Sequence, residues 1–333
     1  MKQRSFGSTG RTVSEIGLGT WQLGSQWGPV DDASAREVLA AAVDSGVTFF
    51  DTADVYGPEV SEERIGRFLK DTGRLGDVGD SLFVATKLGR FPEPGWPDNF
   101  SLASFRQHTE ASLRRLGVEA LDLTQTHCLP EERMREGEMF EWLRTLQQEG
   151  KIRHFGASVE TMDEALLCLE QEGLASLQII FNIFRQKPIT TLFERAQEKG
   201  VALIVRLPLA SGLLSGKLTA DSTFAADDHR NFNRDGDHFN VGETFAGLPL
   251  AKGVELVEQL REQLPTGMTL AQLAMRWILD FPAVSVVIPG ARRASQVVEN
   301  GTASELPPLG DARHRALADF YTNEVADHIR GRY

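Results

Sequence analysis

The chain has 333 residues, 41% hydrophobic and 25% charged, as in a soluble globular protein with a full core, and its formal net charge of −12 argues against a nucleic-acid surface. Its two cysteines, Cys128 and Cys168, are not spaced for zinc and favour a reducing compartment over a disulfide framework. No run reaches the ~20 apolar residues of a membrane span, and the start lacks a signal-peptide pattern, so the expectation is a cytoplasmic protein without metal, nucleic acid or membrane partners.

In chain order, residues 4–16 read as a hairpin, with Gly and Ser supplying the turn. Short β-branched or apolar runs then alternate with longer amphipathic stretches. The runs fall near 16–20, 47–51, 82–86, 121–126, 153–157, 176–181, 201–205 and 284–288. Helical patterns lie between them at 33–45, 61–70, 101–116, 136–149, 161–172 and 188–199. Ser101 is placed to cap the start of the third and Gly117 its end. Strand–helix alternation of this kind predicts a (β/α)₈ TIM barrel, residues 1–333 forming a single domain. The competing doubly wound fold needs a third glycine after Gly17-Leu18-Gly19, and Thr20-Trp21-Gln22 does not supply it. A long polar loop, 219–249, follows the seventh strand and is read as a lid. Helices near 250–263 and 269–280 rejoin the pattern, and a last one near 312–329 is expected across the barrel end.

Polar residues stand where three successive strand-like runs end. Asp51 follows Val47-Thr48-Phe49-Phe50, Lys87 follows Phe83-Val84-Ala85-Thr86, and His127 follows Thr124-Gln125-Thr126. Tyr56 lies five residues beyond Asp51. Each alone has a bland explanation as a cap, a solvated charge or a packed ring. Together, at the C-terminal ends of barrel strands, they read as catalytic. A phenol has an ordinary pKa near ~10, and a neighbouring ammonium favours its ionised form. Tyr56 is therefore read as a proton donor tuned by Lys87, Asp51 as the carboxylate that holds Lys87, and His127 as the group that orients a carbonyl oxygen.

The segments Phe50-Asp51-Thr52-Ala53-Asp54-Val55-Tyr56-Gly57, Ala85-Thr86-Lys87 and Gln125-Thr126-His127 resemble the signatures of the aldo-keto reductase family, and the likeness runs nearly end to end. That resemblance implies a barrel that binds a nicotinamide dinucleotide, with Asp51, Tyr56, Lys87 and His127 as the catalytic tetrad. It implies Thr20, Trp21, Asp51, Ser158 and Gln178 near the nicotinamide. Where the family often has Asn after that serine, this chain has Val159. Arg206 stands where the family often has an aromatic ring, a place from which it either stacks on the nicotinamide or contacts the cofactor phosphates. The Gly/Ser-rich loop with Pro208, Leu209, Ser211, Gly212, Leu214 and Lys217 would cover the pyrophosphate, together with Arg230. Beyond the last strand, Gly290, Arg292, Gln296 and Asn300 would hold the adenosine end. An arginine at a helix N-terminus suits a 2′-phosphate, so NADP(H) is the expected cofactor. Trp21, Trp27, Phe91 and Trp96, with Tyr56 and His127, would wall the pocket of a small-molecule carbonyl substrate. A cofactor-binding regulatory subunit resembling potassium-channel β subunits and a sugar dehydrogenase running toward oxidation are the competing expectations.

Overall fold

The computed structural model describes residues 1–24, 27–57, 59–75, 82–93 and 99–333. The N-terminal segment forms the expected hairpin, β1 (Gln3–Ser5) against β2 (Thr12–Ser14), antiparallel. Eight parallel strands follow: β3 (Leu18–Gly19), β4 (Phe49–Asp51), β5 (Phe83–Leu88), β6 (Leu121–His127), β7 (Ile152–Ser158), β8 (Leu174–Ile180), β9 (Ala202–Arg206) and β10 (Val284–Val287). Each pairs with the next in sequence. The ring closes where Ile16 bridges Val287 and Gly19 bridges Gly290, with Gly17 N–H donating to Val287 O at 2.8 Å. A Cβ on Gly17 would sit 2.8 Å from Phe49 O, and one on Gly19 2.9 Å from Ile288 O, so the backbones approach closely only because both residues are glycine. That crowded seam shortens the first barrel strand from the expected 16–20 to two paired residues.

The helices are α1 (Asp32–Asp44), α2 (Val60–Asp71), α3 (Leu102–Leu116), α4 (Glu131–Glu136), α5 (Glu138–Gln148), α6 (Met162–Leu169), α7 (Pro188–Thr191), α8 (Phe193–Glu198), α9 (His229–Phe232), α10 (Leu250–Arg261), α11 (Leu270–Leu279), α12 (Ala294–Gly301) and α13 (Asp311–Phe320). Helix α3 is capped as the sequence predicts: Ser101 Oγ accepts from Ser104 N–H, and Gly117 closes the last turn at φ 71°. The helix expected over 136–149 appears as α5, preceded by an additional short helix, α4, from which Gly137 at φ 80° separates it. The helix expected over 188–199 is divided where Leu192 leaves helical geometry between α7 and α8. The stretch expected as one helix over 312–329 stays α-helical to Phe320 and then widens into a π-turn over Tyr321–Val325.

The apolar core has two layers. One lies between the sheet and the surrounding helices. The other fills the barrel with inward strand residues such as Phe49, Phe83, Leu123, Ile204 and Val286, and the hairpin adds Phe6 and Val13 to it. The Phe6 ring stands 4.9 Å from Phe83 and 5.5 Å from Phe49, so it plugs the N-terminal end. The opposite end stays open to the loops. Over it folds the 219–249 segment, which is not structureless: it carries α9 and tight turns at Val241–Glu243 and Phe245–Gly247. Among the described residues no helix is long and apolar enough to cross a membrane.

Candidate active site

Register brings the predicted catalytic residues together. Asp51 pairs with Ala85 and Lys87 with Gln125, so the ends of β4, β5 and β6 lie side by side at the open mouth. Tyr56 arrives on the loop after β4. That loop passes so close to Gly24 that a Cβ on Gly57 would lie 2.0 Å from Gly24 O, which only glycine permits at φ 66°. Lys87 Nζ donates to Asp51 Oδ1 at 2.5 Å, Thr52 O at 2.8 Å and Tyr56 Oη at 3.1 Å. All three ammonium protons are thereby used. The other carboxylate oxygen of Asp51 accepts from Gln178 Nε2 at 2.7 Å and Gln125 Nε2 at 3.2 Å. This ion pair is buried, with 1% of the Lys87 side chain and 3% of the Asp51 side chain exposed, so such full hydrogen bonding is what makes it tolerable.

Burial by itself would lower the Lys87 pKa, but Asp51 and Tyr56 outweigh it and the ammonium is held above its usual value. The phenol of Tyr56 moves up rather than down, because burial outweighs the opposing pull of Lys87. Lys87 therefore acts in the expected direction without setting the net result, and the Tyr56 phenol stays protonated. Burial, reinforced by the cations of Arg90, Lys87 and Arg206, holds His127 well below the usual histidine range. Its imidazole is neutral, and Nδ1 finds no partner among the described residues.

A groove with a cavity of about 520 Å³ runs from Tyr56 and His127 to Arg292 and Arg293. Thr20, Trp21, Trp27 and Asp51 line its near wall, with Ser158 and Gln178 opposite. Thr20 Oγ1 donates to Asp51 O at 2.8 Å, which ties the end of β3 to the end of β4. Pro208, Leu209, Ser211, Gly212 and Lys217 also line the groove. The Ser211 hydroxyl is already engaged: it donates to Glu243 O at 2.9 Å and accepts from Phe245 N–H at 3.1 Å, pinning the loop to the covering segment. Arg230 lines the groove while held by Asp228 at 2.6 Å and stacked 4.7 Å over Trp27. At the far end Gln296 Oε1 accepts from the backbone N–H of Arg292 at 2.9 Å and Arg293 at 3.2 Å. Neither guanidinium there has a carboxylate partner among the described residues. A Cβ on Gly290 would fall 2.0 Å from Gln22 Oε1, so that position cannot carry a side chain without displacing Gln22.

Several sequence expectations fail at the groove. Leu214 is buried in the outer core and Asn300 is buried on α12, one turn below Gln296; neither reaches the wall. Phe91 turns back onto α3, its ring 5.4 Å from His108, and does not line the pocket. Trp96 lies outside the described residues. Arg206 remains at the catalytic end: it donates to Val159 O at 3.1 Å and reaches Cys128 Sγ at 3.4 Å and Glu243 Oε1 at 3.4 Å. The sequence reading missed Gln125, Arg90, Phe239 and Glu243. Arg90 stands 3.2 Å from Glu160 and 3.7 Å from Glu243, so with Arg206 two guanidiniums and two carboxylates cluster beside His127. Burial, with Glu243 beside it, pushes Glu160 up to about 7, whereas Arg206 and Arg90 outweigh burial at Glu243 and hold it low.

The fold and the site together define a (β/α)₈ barrel protein with Asp51, Tyr56, Lys87 and His127 gathered at its C-terminal face. The model of the aldo/keto reductase family matches residues 15–321, and the chain belongs to that family of oxidoreductases. It is similar to "Aldo-keto reductase YhdN" of Bacillus subtilis, 31% identical over 305 residues, covering 89% of this chain and 87% of that one. It is also similar to a "Probable voltage-gated potassium channel subunit beta" of Arabidopsis thaliana, 30% identical and covering 93% of each chain. Among solved structures, "aldo-keto reductase AKR11C1 from Bacillus halodurans (holo form)" superposes with a TM-score of 0.77 at 28% identity, covering 96% of each chain.

Proposed function

We propose that the protein reduces an aldehyde or ketone to an alcohol with NADPH. The observation that carries this reading is the Tyr56–Lys87–Asp51 chain, with contacts of 3.1 and 2.5 Å, facing a groove that also holds a neutral His127. The groove fits the cofactor in its donor set. Ser158 and Gln178 offer the mixed donors and acceptors a carboxamide needs, and Arg292 beside the start of α12, which has no carboxylate partner among the described residues, suits a 2′-phosphate. Bound NADPH supplies the hydride.

The residues supply the rest. His127, neutral, hydrogen-bonds the carbonyl oxygen and fixes its direction. Tyr56 gives its proton to that oxygen as negative charge develops there. Lys87, 3.1 Å from the phenol oxygen, stabilises the phenolate left behind, and Asp51 keeps Lys87 charged and in place. Trp21, stacked on Tyr56 with centroids 5.8 Å apart, and the covering segment keep water from the site.

The similarity to a potassium-channel β subunit supports a second reading, a cofactor-binding regulatory subunit. The same groups run backward would serve alcohol oxidation. Absorbance at the nicotinamide band with NADPH and a panel of aldehydes separates these readings: turnover is expected, and cofactor binding without turnover of any panel member would favour the regulatory subunit. Tyr56→Phe should remove about 10²–10⁴-fold of the turnover with cofactor affinity retained. Near-normal turnover in that variant would sink the mechanism.

A further inference from the structure

The polar cluster beside His127 is not used by the chemistry above. Glu243 and Arg90 line the same cavity as Tyr56 and His127. They are near enough for Glu243 to act on the Tyr56 phenol and for Arg90 to act on the His127 imidazole. Yet Glu243 Oε1 is buried without a hydrogen-bond partner among the described residues. Its neighbouring guanidiniums stand at 3.4 and 3.7 Å, beyond good hydrogen-bond geometry. Arg206 Nε is buried and unpartnered as well. Buried polar atoms in native proteins are almost always satisfied, so unsatisfied ones lining a ligand cavity point to polar groups on the ligand.

We infer that Glu243 and Arg90 form a hydroxyl-recognition subsite beside the reacting carbonyl, selecting hydroxylated aldehydes or ketones over plain alkyl ones. The inference rests on the reading of Tyr56 and His127 as the carbonyl-binding groups. A hydroxyl is the smallest group that donates to a carboxylate and accepts from a guanidinium at once. An alkyl chain in the same place leaves Glu243 Oε1 dry and without a hydrogen bond, held only by the longer ion pairs, which a hydroxyl-binding site penalises. The flanking walls agree: the Trp21 and Phe239 rings, 6.4 Å apart edge to face, offer apolar surface to the C–H bonds of a short hydroxylated chain. With both carboxylates ionised, the two arginines are balanced and no surplus cation calls for an anionic substrate. With Glu160 protonated one cation is in excess, so an anionic carbonyl compound is the competing occupant.

The test compares kcat/KM with NADPH for glyceraldehyde, propanal and glyceraldehyde 3-phosphate, in the wild type and in Glu243→Gln and Arg90→Lys. Glyceraldehyde is expected to lead propanal by about tenfold to a hundredfold. In both variants that ratio should fall toward one, through a raised KM for glyceraldehyde. If Glu243→Gln fails to fold, Arg90→Lys reads the same ratio. A flat ratio in the wild type, or a ratio preserved in the folded variants, overturns the subsite alone. Preference for the phosphorylated compound over glyceraldehyde overturns it in favour of an anion site. Absence of turnover with all three overturns the carbonyl-reductase reading and the subsite with it.

Discussion

The two ends of this barrel are built on opposite rules. At the bottom, Phe6 seals an apolar stack of Phe49, Phe83, Leu123 and Ile204, with the buried Glu15 held by Arg4 beside it at 2.8 Å. At the mouth, Asp51 and Lys87 are as deeply buried and Arg206 and Glu243 nearly so, yet His127 Nδ1, Glu243 Oε1 and Arg206 Nε have no hydrogen-bond partner among the described residues. An apolar plug gains from burial at about 25 cal/mol per Å² of area removed from water. Buried charges gain only if every proton and lone pair is met, and unmet ones are destabilising until something binds. One end stabilises the fold, and the other holds groups in readiness at the fold's expense.

The largest effect that can break this comparison is at the plug. Phe6→Ala should lower unfolding free energy by about 3–5 kcal/mol, read from the denaturant midpoint, with KM for an aldehyde substrate unchanged in the folded fraction. A change confined to KM, with stability intact, would place Phe6 in the wrong class. The next concerns His229, whose ring lies 4.7 Å from Trp21 and 4.3 Å from Trp27 and whose nitrogens both lack a hydrogen bond among the described residues, Nδ1 standing 3.6 Å from Asp228 Oδ1. Burial lowers its pKa to about 4, outweighing Asp228 and Glu243 on one side while Arg230 adds to the shift. Because the folded value lies below the unfolded one near ~6.5, acidification favours the unfolded state, which takes up the proton first. The stability this neutral ring allows is complete above about pH 6.5 and is lost as pH falls toward 4, by about 3 kcal/mol. Stability curves for His229→Phe should lack that acidic decline. An unchanged slope would show that other groups carry it. The smallest effect belongs to the far end of the groove. Arg292→Ala should weaken NADPH binding by roughly ten- to a hundredfold, about 1.5–3 kcal/mol, with little change for NADH, as read by fluorescence titration. Because Arg292 has no carboxylate partner among the described residues, its removal should leave the unfolding midpoint in place. Equal weakening of both cofactors would move the phosphate contact to Arg293.

What the sequence made legible follows from how local each signal is. Strand runs such as 121–126 and 153–157 appear within a residue or two as β6 and β7, because Leu121 and Leu123, and Ile152 and Phe155, mark buried positions between turn signals. The candidate catalytic residues Asp51, Lys87 and His127 could be grouped from the sequence because each sits at or beside a strand end, and parallel register brings consecutive ends together. The short helix α4 was not legible, because Glu131–Glu136 has a single apolar residue, Met134, and so no periodicity to show. The Arg90–Glu160–Glu243–Arg206 cluster was illegible for a different reason. Its members come from four separate segments, and Glu243 lies inside the stretch read only as a lid. The lid expectation itself caught the polar, aromatic-interleaved character of 227–234 but not that His229 and Asn233 would be fully buried within it. Phe91 misled because a loop aromatic signals packing as readily as binding, and here it packs on His108.

The glycine seam between β3 and β10 ties ligand occupancy to the integrity of the ring. Closure there rests on the backbone bonds from Gly17 to Val287, from Gly19 to Pro289 and from Val287 back to Glu15. Gly19 and Gly290, which flank that thin ladder, also line the groove. A dinucleotide lying along it would rest across the joint like a splint, because any opening of the ring parts the two walls that grip it. Amide protons at Gly17, Gly19 and Val287 are therefore the ones whose exchange with solvent should slow most when the groove is filled, since a ligand bound only to the closed form suppresses the opening by mass action.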